Sequence, residues 1–201
     1  ITNLITKFYE INTGNILIDG KDIDNYSLEN VRSKIGIILQ DVFLFADTIF
    51  NNITLFNENI TLEDVENAAK ELEIHEFISS LPGGYSFNVS ERGTTLSAGQ
   101  KQLIAFLRVL VNNPDILILD EATSSIDSYS EDLIKNATKK ITKDKTSIII
   151  AHRLSTIESA NKIIYMENGK ILESGNHKEL LSITNGKFKK LYEEQFIDEL
   201  V

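Results

Sequence analysis

Two adjacent carboxylates, Asp120 and Glu121, come directly after the apolar run Ile116-Leu117-Ile118-Leu119. Neighbouring side chains at the end of a strand point in different directions, so the pair can take two separate tasks. One carboxylate can hold hydrated Mg²⁺, which prefers one or two carboxylates together with water and phosphate oxygens. The other can accept a proton from an attacking water. In isolation, the pair is equally consistent with an acidic strand end that reaches solvent.

The segment Leu96-Ser97-Ala98-Gly99-Gln100 begins a second helix-like pattern, which predicts a helix over about 98–110. Ser97 as the N-cap and Gln100 three positions later match a capping box. The backbone N–H groups and the positive end of such a helix also attract anions, and Gly99 lets a phosphate approach the backbone closely. Taken alone, the segment favours a helix cap without a bound phosphate.

Buried strands that alternate with helices must position these residues, and this alternation predicts an α/β fold with a parallel sheet. Strands are expected at 34–40, 116–119 and 147–150, and long helices at 61–81, 98–110 and from 128 onward. Ligand groups collect at the carboxyl ends of such strands. Four polar residues stand at predicted strand ends and form a candidate site: Gln40, Asp120, Glu121 and His152.

Shorter elements are predicted near both ends of the chain. Residues 1, 4, 5 and 8 are apolar and share one face of a helix. Asp19-Gly20 and Asn168-Gly169 are hairpin turn signals, and short helices are expected near 178–181 and 188–195. Because no capping residue precedes the first helix, we expect the chain to begin inside a larger protein.

The composition is that of a folded protein with an acidic surface. The 201 residues include 20 Lys and Arg against 30 Asp and Glu, which gives a net charge of −10. This balance disfavours broad contact with a nucleic-acid backbone, while a local site for one nucleotide is compatible with it. The chain has no Cys, which excludes disulfides and thiolate metal sites. No apolar run approaches the roughly 18 residues that a membrane span needs.

Taken together, the motifs resemble the nucleotide-binding domain of ABC transporters in order and spacing, over essentially the whole chain. One position departs from the usual signature, since alanine stands where the family most often has glycine. Ala98 still fits a first helical turn, so we expect little loss of function in the signature motif. The matching positions are Gln40 (Q-loop), Leu96 to Gln100 (signature motif), Asp120 (Walker B), Glu121 (catalytic glutamate), Asp127 (D-loop) and His152 (H-loop).

This resemblance implies a domain that binds and hydrolyses ATP with Mg²⁺. Two such domains would face head to tail, as a homodimer or a heterodimer, with ATP between them. The implied catalytic residues are Glu121, His152 and Gln40, and the implied Mg²⁺ ligands are Asp120 and Gln40. The implied contacts with the partner subunit's ATP come from Ser97, Ala98, Gly99 and Gln100, and Asp127 would lie at the dimer interface.

Finer features resemble the exporter subgroup, whose transmembrane domain precedes the motor domain on the same chain. By this resemblance, Phe43, Phe45 and Glu91 contact that transmembrane domain, and the motor lies at the cytoplasmic face of the cell membrane. For the two phenylalanines, ordinary core packing is the alternative. The resemblance also implies a P-loop NTPase (RecA-like) core over 1–40 and 111–201. A helical subdomain with the signature motif would occupy 41–110, and the fold would include an antiparallel β hairpin.

One element of the family is missing from the sequence. No Gly-x-x-x-x-Gly-Lys-Ser/Thr phosphate loop (Walker A) occurs in it. We therefore expect a cut just after that loop, and a fragment that is inactive alone. Two alternatives remain at this point, namely a soluble ABC-type ATPase and a non-catalytic, degenerate domain that regulates or dimerises. The transported substrate is not defined by these residues.

Overall fold

The computed structural model describes residues 1–90, 93, 95–120, 128–151 and 157–198, and its contacts separate two units, Ile1–Ile150 and Ala151–Val201. The first unit begins with helix α1 (Thr2–Ile5), strands β1 (Leu17–Ile18) and β2 (Lys21–Asp22), and helix α2 (Leu28–Ser33). The two strands form the predicted hairpin across Asp19 and Gly20. Helix α1 is shorter than predicted, because the backbone at Lys7 is left-handed with φ of 54° and Phe8 lies beyond the helix.

A parallel sheet of three strands forms the centre of this unit. Its strands β3 (Ile35–Ile38), β4 (Ile116–Asp120) and β5 (Thr146–Ile150) stand in the order β3-β4-β5, so the middle strand is the one that ends in Asp120. Leu117, Ile118 and Leu119 are buried. This burial explains the unbroken apolar run of the sequence and confirms the predicted α/β class.

Helices cover the sheet and continue into a helical layer. They are α3 (Ile49–Thr54), α4 (Leu62–Glu71), α5 (His75–Ser80), α6 (Ala98–Asn112) and α7 (Ser128–Thr142). Their buried side chains form one continuous cluster with Leu117 and Leu119 of the sheet. The central member is α6, in which Ile104 and Leu107 are fully buried.

The helix predicted over 61–81 is in fact two helices, α4 and α5. The chain turns at Glu73, whose φ is 64°, between the fully buried Leu72 and Ile74. The predicted N-terminal signature at Thr61 is correct, because its hydroxyl accepts the Asp64 N–H at 3.2 Å and completes a capping box. Local sequence therefore gave the beginning of this element and missed the turn within it.

Strand β3 approaches the connection between α6 and β4 so closely that a side chain has no room. A Cβ atom on Gly36 would lie 2.6 Å from the ring carbon Cγ of Pro114 and 3.2 Å from side-chain carbons of Val109 and Leu117. The close approach fixes the end of α6 against the sheet.

The second unit contains a hairpin and two helices. Strands β6 (Ile163–Glu167) and β7 (Lys170–Gly175) pair antiparallel across the predicted turn at Asn168 and Gly169, with φ of 50° and 74°. Helices α8 (His177–Ser182) and α9 (Lys187–Asp198) follow. Across the described stretches of both units, every helix is too short or too polar to span a lipid bilayer.

Candidate functional site

The carboxyl ends of the three parallel strands lie level at one edge of the sheet. Ile38 pairs with Leu119, and Leu119 pairs with Ile149 on the other side. Asp120 is the next residue of the middle strand and is partly buried, whereas Gln40 is exposed two residues beyond Ile38. The structure therefore places Gln40 and Asp120 at the same edge, one on the central strand and one after its neighbour.

Four of the sequence candidates, Glu91, Glu121, Asp127 and His152, lie outside the described residues. In the sequence, Glu121 directly follows Asp120 at the end of β4. The sequence likewise places His152 two residues after Ile150, the last residue of β5. Their roles stay predictions.

The beginning of α6 has the capping geometry that the sequence predicted. The Ser97 hydroxyl oxygen accepts the Gln100 N–H at 3.2 Å, and the Gln100 side-chain carbonyl accepts the Ser97 N–H at 2.9 Å. Ser97 is extended, with φ of −66° and ψ of 163°, and Ala98 beside it is exposed. Since the bond occupies the hydroxyl as an acceptor, its hydrogen is available to donate to a ligand.

Two backbone donors remain at this helix end. The N–H groups of Ala98 and Gly99 have no hydrogen-bond partner among the described residues. No acidic side chain stands in the first turn of α6, so nothing there offsets the positive end of the helix dipole. A phosphate oxygen is a suitable ligand for such donors.

The direction of α6 brings this end toward the carboxyl edge of the sheet. Helix α6 packs against β3 and reaches β4 through only three residues, 113–115. A helix joined so briefly to a strand beside it must run antiparallel to that strand. Ser97 therefore lies toward the same end of the sheet as Asp120.

The loop after Gln40 presents two aromatic side chains to solvent. Phe43 and Phe45 are 56% and 45% exposed, and their rings meet edge to face with 5.1 Å between centroids. Leu44 between them is fully buried. Core packing, the alternative for this pair, is therefore wrong for both rings. An exposed pair of aromatic rings is typical of a contact surface.

Sequence reasoning missed two residues that hold this loop, Asn52 and Arg108. Asn52 lies fully buried in α3, and its side chain bonds the backbone of Phe45. Arg108, from the middle of α6, donates to the main-chain carbonyls of Asn52 and Phe43. Burial lowers the pKa of the Arg108 guanidinium from its ordinary value. The apolar pattern of α6 around this arginine was the available signal, since a cation on a buried helix face needs partners.

Two titratable side chains outside this site, Tyr85 and His75, are hydrogen-bonded to each other. The buried Tyr85 hydroxyl lies 2.9 Å from Nδ1 of His75, and burial together with the negative charge of Glu66 raises its pKa to about 12. The tyrosine thus stays neutral at physiological pH. In the part of the chain that the structure describes, no three His, Cys, Asp or Glu side chains gather as a metal site.

Comparison with known proteins identifies the family. A sequence profile described as ABC transporter matches residues 1–124. A Bacillus subtilis (strain 168) protein that carries the name of a multidrug export ATP-binding/permease protein is 48% identical over 192 residues, which is 96% of this chain and 33% of that protein. A Staphylococcus aureus (strain NCTC 8325 / PS 47) protein with the same kind of name is 47% identical over 195 residues, 97% of this chain and 34% of that protein.

A solved structure agrees with these relatives. The structure of a bacterial Atm1-family ABC exporter with ATP bound superposes with a TM-score of 0.84 at 39% identity, over 100% of this chain and 34% of that one. The chain spans about a third of the length of the curated relatives that it matches. It belongs to the ABC transporter family, with the likeness of an exporter-type nucleotide-binding domain.

Proposed function

We propose that this chain is the motor domain of a membrane exporter, and that it binds and hydrolyses ATP to drive transport. One observation carries the proposal. A sheet edge with Gln40 and Asp120 and a helix end with unpartnered N–H groups lie toward the same end of the sheet in a chain of the ABC transporter family. Carboxylate, amide and backbone donors together suit a metal-bound nucleotide triphosphate.

The residues present fit a magnesium ion at the sheet edge. Asp120 is a partly buried carboxylate at the end of a central strand, and the amide of Gln40 supplies a neutral oxygen nearby. These are oxygen ligands of the kind that Mg²⁺ prefers, with water and phosphate oxygens completing its shell. When bound, the ion neutralises charge on the β- and γ-phosphate oxygens.

Hydrolysis in this proposal rests on positioning and on one proton acceptor. Glu121 follows the metal ligand and accepts a proton from the water that attacks the γ-phosphorus. His152, after the neighbouring strand, donates a hydrogen bond to the γ-phosphate. Gln40 binds near the metal and couples the metal site to the loop that follows it. The phosphate bond breaks as the bond to water oxygen forms, and ADP leaves with the former bridging oxygen.

The helix end at Ser97 serves the site of a second subunit. In a head-to-tail dimer, the Ser97 hydroxyl and the N–H groups of Ala98 and Gly99 donate to the phosphates of the partner's ATP, with Gln100 holding their geometry. Asp127 lies at the interface. The exposed positions of Ser97 and Ala98 and the unpartnered N–H groups of this turn support that role, although Gly99 itself is buried in this structure.

Phe43 and Phe45, with Glu91, form the contact with a transmembrane domain of the same polypeptide, and the motor works at the cytoplasmic face of the membrane. The exposed ring pair supports this assignment. We assign residues 1–40 and 111–201 to a P-loop NTPase core and 41–110 to a helical subdomain. The division is supported by the element order, since helices α3 to α5 and most of α6 fall within the range 41–110.

Glu121→Gln in the complete protein tests the proposal. It keeps the size of the side chain and removes the proton acceptor, so ATP turnover should fall by about 10²–10⁴ while ATP-bound dimers accumulate. Phosphate release and gel filtration with ATP measure the two effects. Glu58→Gln, an exposed glutamate on the loop after α3, is the matched control and should keep full turnover. Unchanged turnover in Glu121→Gln would remove the assigned role.

A further inference from the structure

The loop that carries the exposed aromatic pair is held by hydrogen bonds from two polar side chains as well as by apolar packing. Only Leu44 among residues 43–45 is buried in the core, and the rings on either side of it point outward. One apolar anchor leaves the backbone of the loop free to pivot. Its position therefore depends on what holds the main-chain groups of Phe43 and Phe45.

Asn52 holds one end of this loop. Its side-chain oxygen accepts the Phe45 N–H at 2.8 Å, and its side-chain nitrogen donates to the carbonyls of Phe45 and Thr48, each at 3.0 Å. Asn52 is 0% exposed. A fully buried amide with all its hydrogen-bonding groups satisfied is strongly fixed, since any movement of the loop would leave buried polar atoms unpaired.

Arg108 connects the same loop to α6 (Ala98–Asn112), which we call the signature helix because it begins in the signature motif. Its Nε donates to the Asn52 carbonyl at 2.8 Å and its Nη2 donates to the Phe43 carbonyl at 3.3 Å. Among the described residues, Arg108 contacts these two neutral carbonyls and no carboxylate. Partly burying an arginine on neutral partners is costly, and a lysine would replace two donor nitrogens held in one plane by a single flexible one. The planar guanidinium of Arg108, with its two separate donor nitrogens, is thus the feature that this position requires.

Helix α6 connects the capped end at Ser97 with the loop that carries Phe43 and Phe45. Arg108 stands eleven residues after the Ser97 cap, which is about 16 Å along the helix axis. Since α6 is continuous from Ala98 to Asn112, a shift at its capped end is transmitted to Arg108. Two hydrogen bonds then carry it to the aromatic loop. Rigid helices and hydrogen bonds of this kind can carry energetic coupling between distant sites.

We infer that Arg108, together with Asn52, is a positioning residue that transmits movement of the signature helix to the Phe43–Phe45 loop. The inference rests on the proposed function, because a nucleotide must act at the Ser97 end for movement to begin. Arg108 contacts neither Ser97 nor Asp120, so its replacement should separate the response of the loop from ATP turnover.

The experiment uses the complete protein with a reporter on the loop. Ala46→Cys, at an exposed position next to Phe45, is labelled with bimane in a background without other reactive cysteines. The change in bimane emission on adding MgATP and vanadate reports the loop, and phosphate release reports turnover. In Arg108→Lys we expect the emission change to shrink about fivefold, with the KM for ATP within about twofold of the parent. A merely structural role would not produce this split.

Arg32→Lys is a matched control, because Arg32 also spans two main-chain carbonyls through Nε and Nη2, those of Thr6 and Lys7, far from the aromatic loop in the sequence. It should keep the full emission change. If Arg108→Lys does not fold, Arg108→Gln, which buries no charge, takes its place. An undiminished emission change in the folded Arg108 variant overturns this inference alone. A parent protein that hydrolyses no ATP overturns the proposed function and the inference with it.

Discussion

Helices α4 and α6 begin with the same hydrogen-bonded cap and differ in what the cap can bind. Thr61 with Asp64 and Ser97 with Gln100 both form reciprocal capping boxes. The first turn of α4 carries Glu63 and Asp64, whereas the first turn of α6 has no acidic residue. Carboxylates stabilise a helix start, and they also repel any phosphate that approaches it.

The comparison teaches that a capping box is not in itself a phosphate site. At α4 the carboxylate of Asp64 accepts the Thr61 N–H at 2.9 Å and brings a full negative charge to the helix end. At α6 a neutral amide makes the equivalent bond, and Ala98 leaves the end of the helix open. If the proposed role of α6 is right, charge and side-chain size in the first turn distinguish a phosphate site from a plain helix cap.

Ala98→Asp gives the largest expected effect, because it brings the charge of α4 to the exposed start of α6. A carboxylate there should lower kcat/KM for ATP in the complete protein by about a hundredfold, by occupying and repelling the phosphate position. It should leave the helix slightly more stable through the dipole. Phosphate-release kinetics and thermal unfolding measure the two effects.

Two controls separate charge from size and place in this experiment. Ala98→Asn has the size of the aspartate without its charge, and Leu62→Asp adds a charge at the matching exposed position of α4. The second should leave turnover unchanged. Full turnover in Ala98→Asp would mean that phosphate does not bind this helix end.

The next largest expected effect is the difference in ATP turnover between Ser97→Ala and Thr61→Ala. Each removes a cap and should destabilise its helix by about 1 kcal/mol. Only Ser97→Ala should also reduce ATP turnover, by about tenfold, because the Thr61 hydroxyl already donates to Asp64 at 2.6 Å, whereas the proposed site uses the Ser97 hydroxyl as a donor to phosphate. Denaturation and turnover of both variants check this, and equal turnover in the two would contradict the difference between the helices.

The smallest expected effect is that of acid, which should weaken the Thr61–Asp64 cap and leave the Ser97–Gln100 cap unchanged. The Thr61 hydroxyl and, next, the Thr61 backbone N–H lower the pKa of Asp64 below the ordinary 3.8. A lowered folded-state pKa gives stability that is present above the unfolded value and is lost as the pH falls through the folded value. The amide of Gln100 does not titrate in this range.

The cost of Thr61→Ala, measured as a shift in melting temperature, should therefore hold from neutral pH down to about 3.8 and shrink as the pH is lowered further. The cost of Ser97→Ala should stay constant over the same range. If the melting-temperature shifts of both variants shrank together, the titrating group would not be Asp64.

The features that sequence predicted well are those set by neighbours along the chain. Asp19-Gly20 and Asn168-Gly169 turn as expected because both central residues of each turn adopt positive φ, which these pairs tolerate. The cap at Ser97 follows from residues three apart. Gln40 and Asp120 share a sheet edge because parallel strands bring their carboxyl ends together.

The features that sequence missed depend on tertiary contacts. Leu72, Ile74 and Ile78 continue an apolar pattern across the turn at Glu73, so periodicity alone could not reveal the end of α4. Arg108 bonds a residue 56 positions away and another 65 positions away. No local rule relates such distant positions, and only the packing of α6 on α3 brings them together.

The close approach of Gly36 to Pro114 has a genetic consequence. Every amino acid other than glycine carries a Cβ, and a Cβ at this position would lie 2.6 Å from a proline ring that has little freedom to move. Each missense change in the codon for residue 36 therefore pushes β3 away from the root of the signature helix. This strand position, to which no ligand is assigned, should tolerate as little inherited variation as Glu121, the proposed proton acceptor.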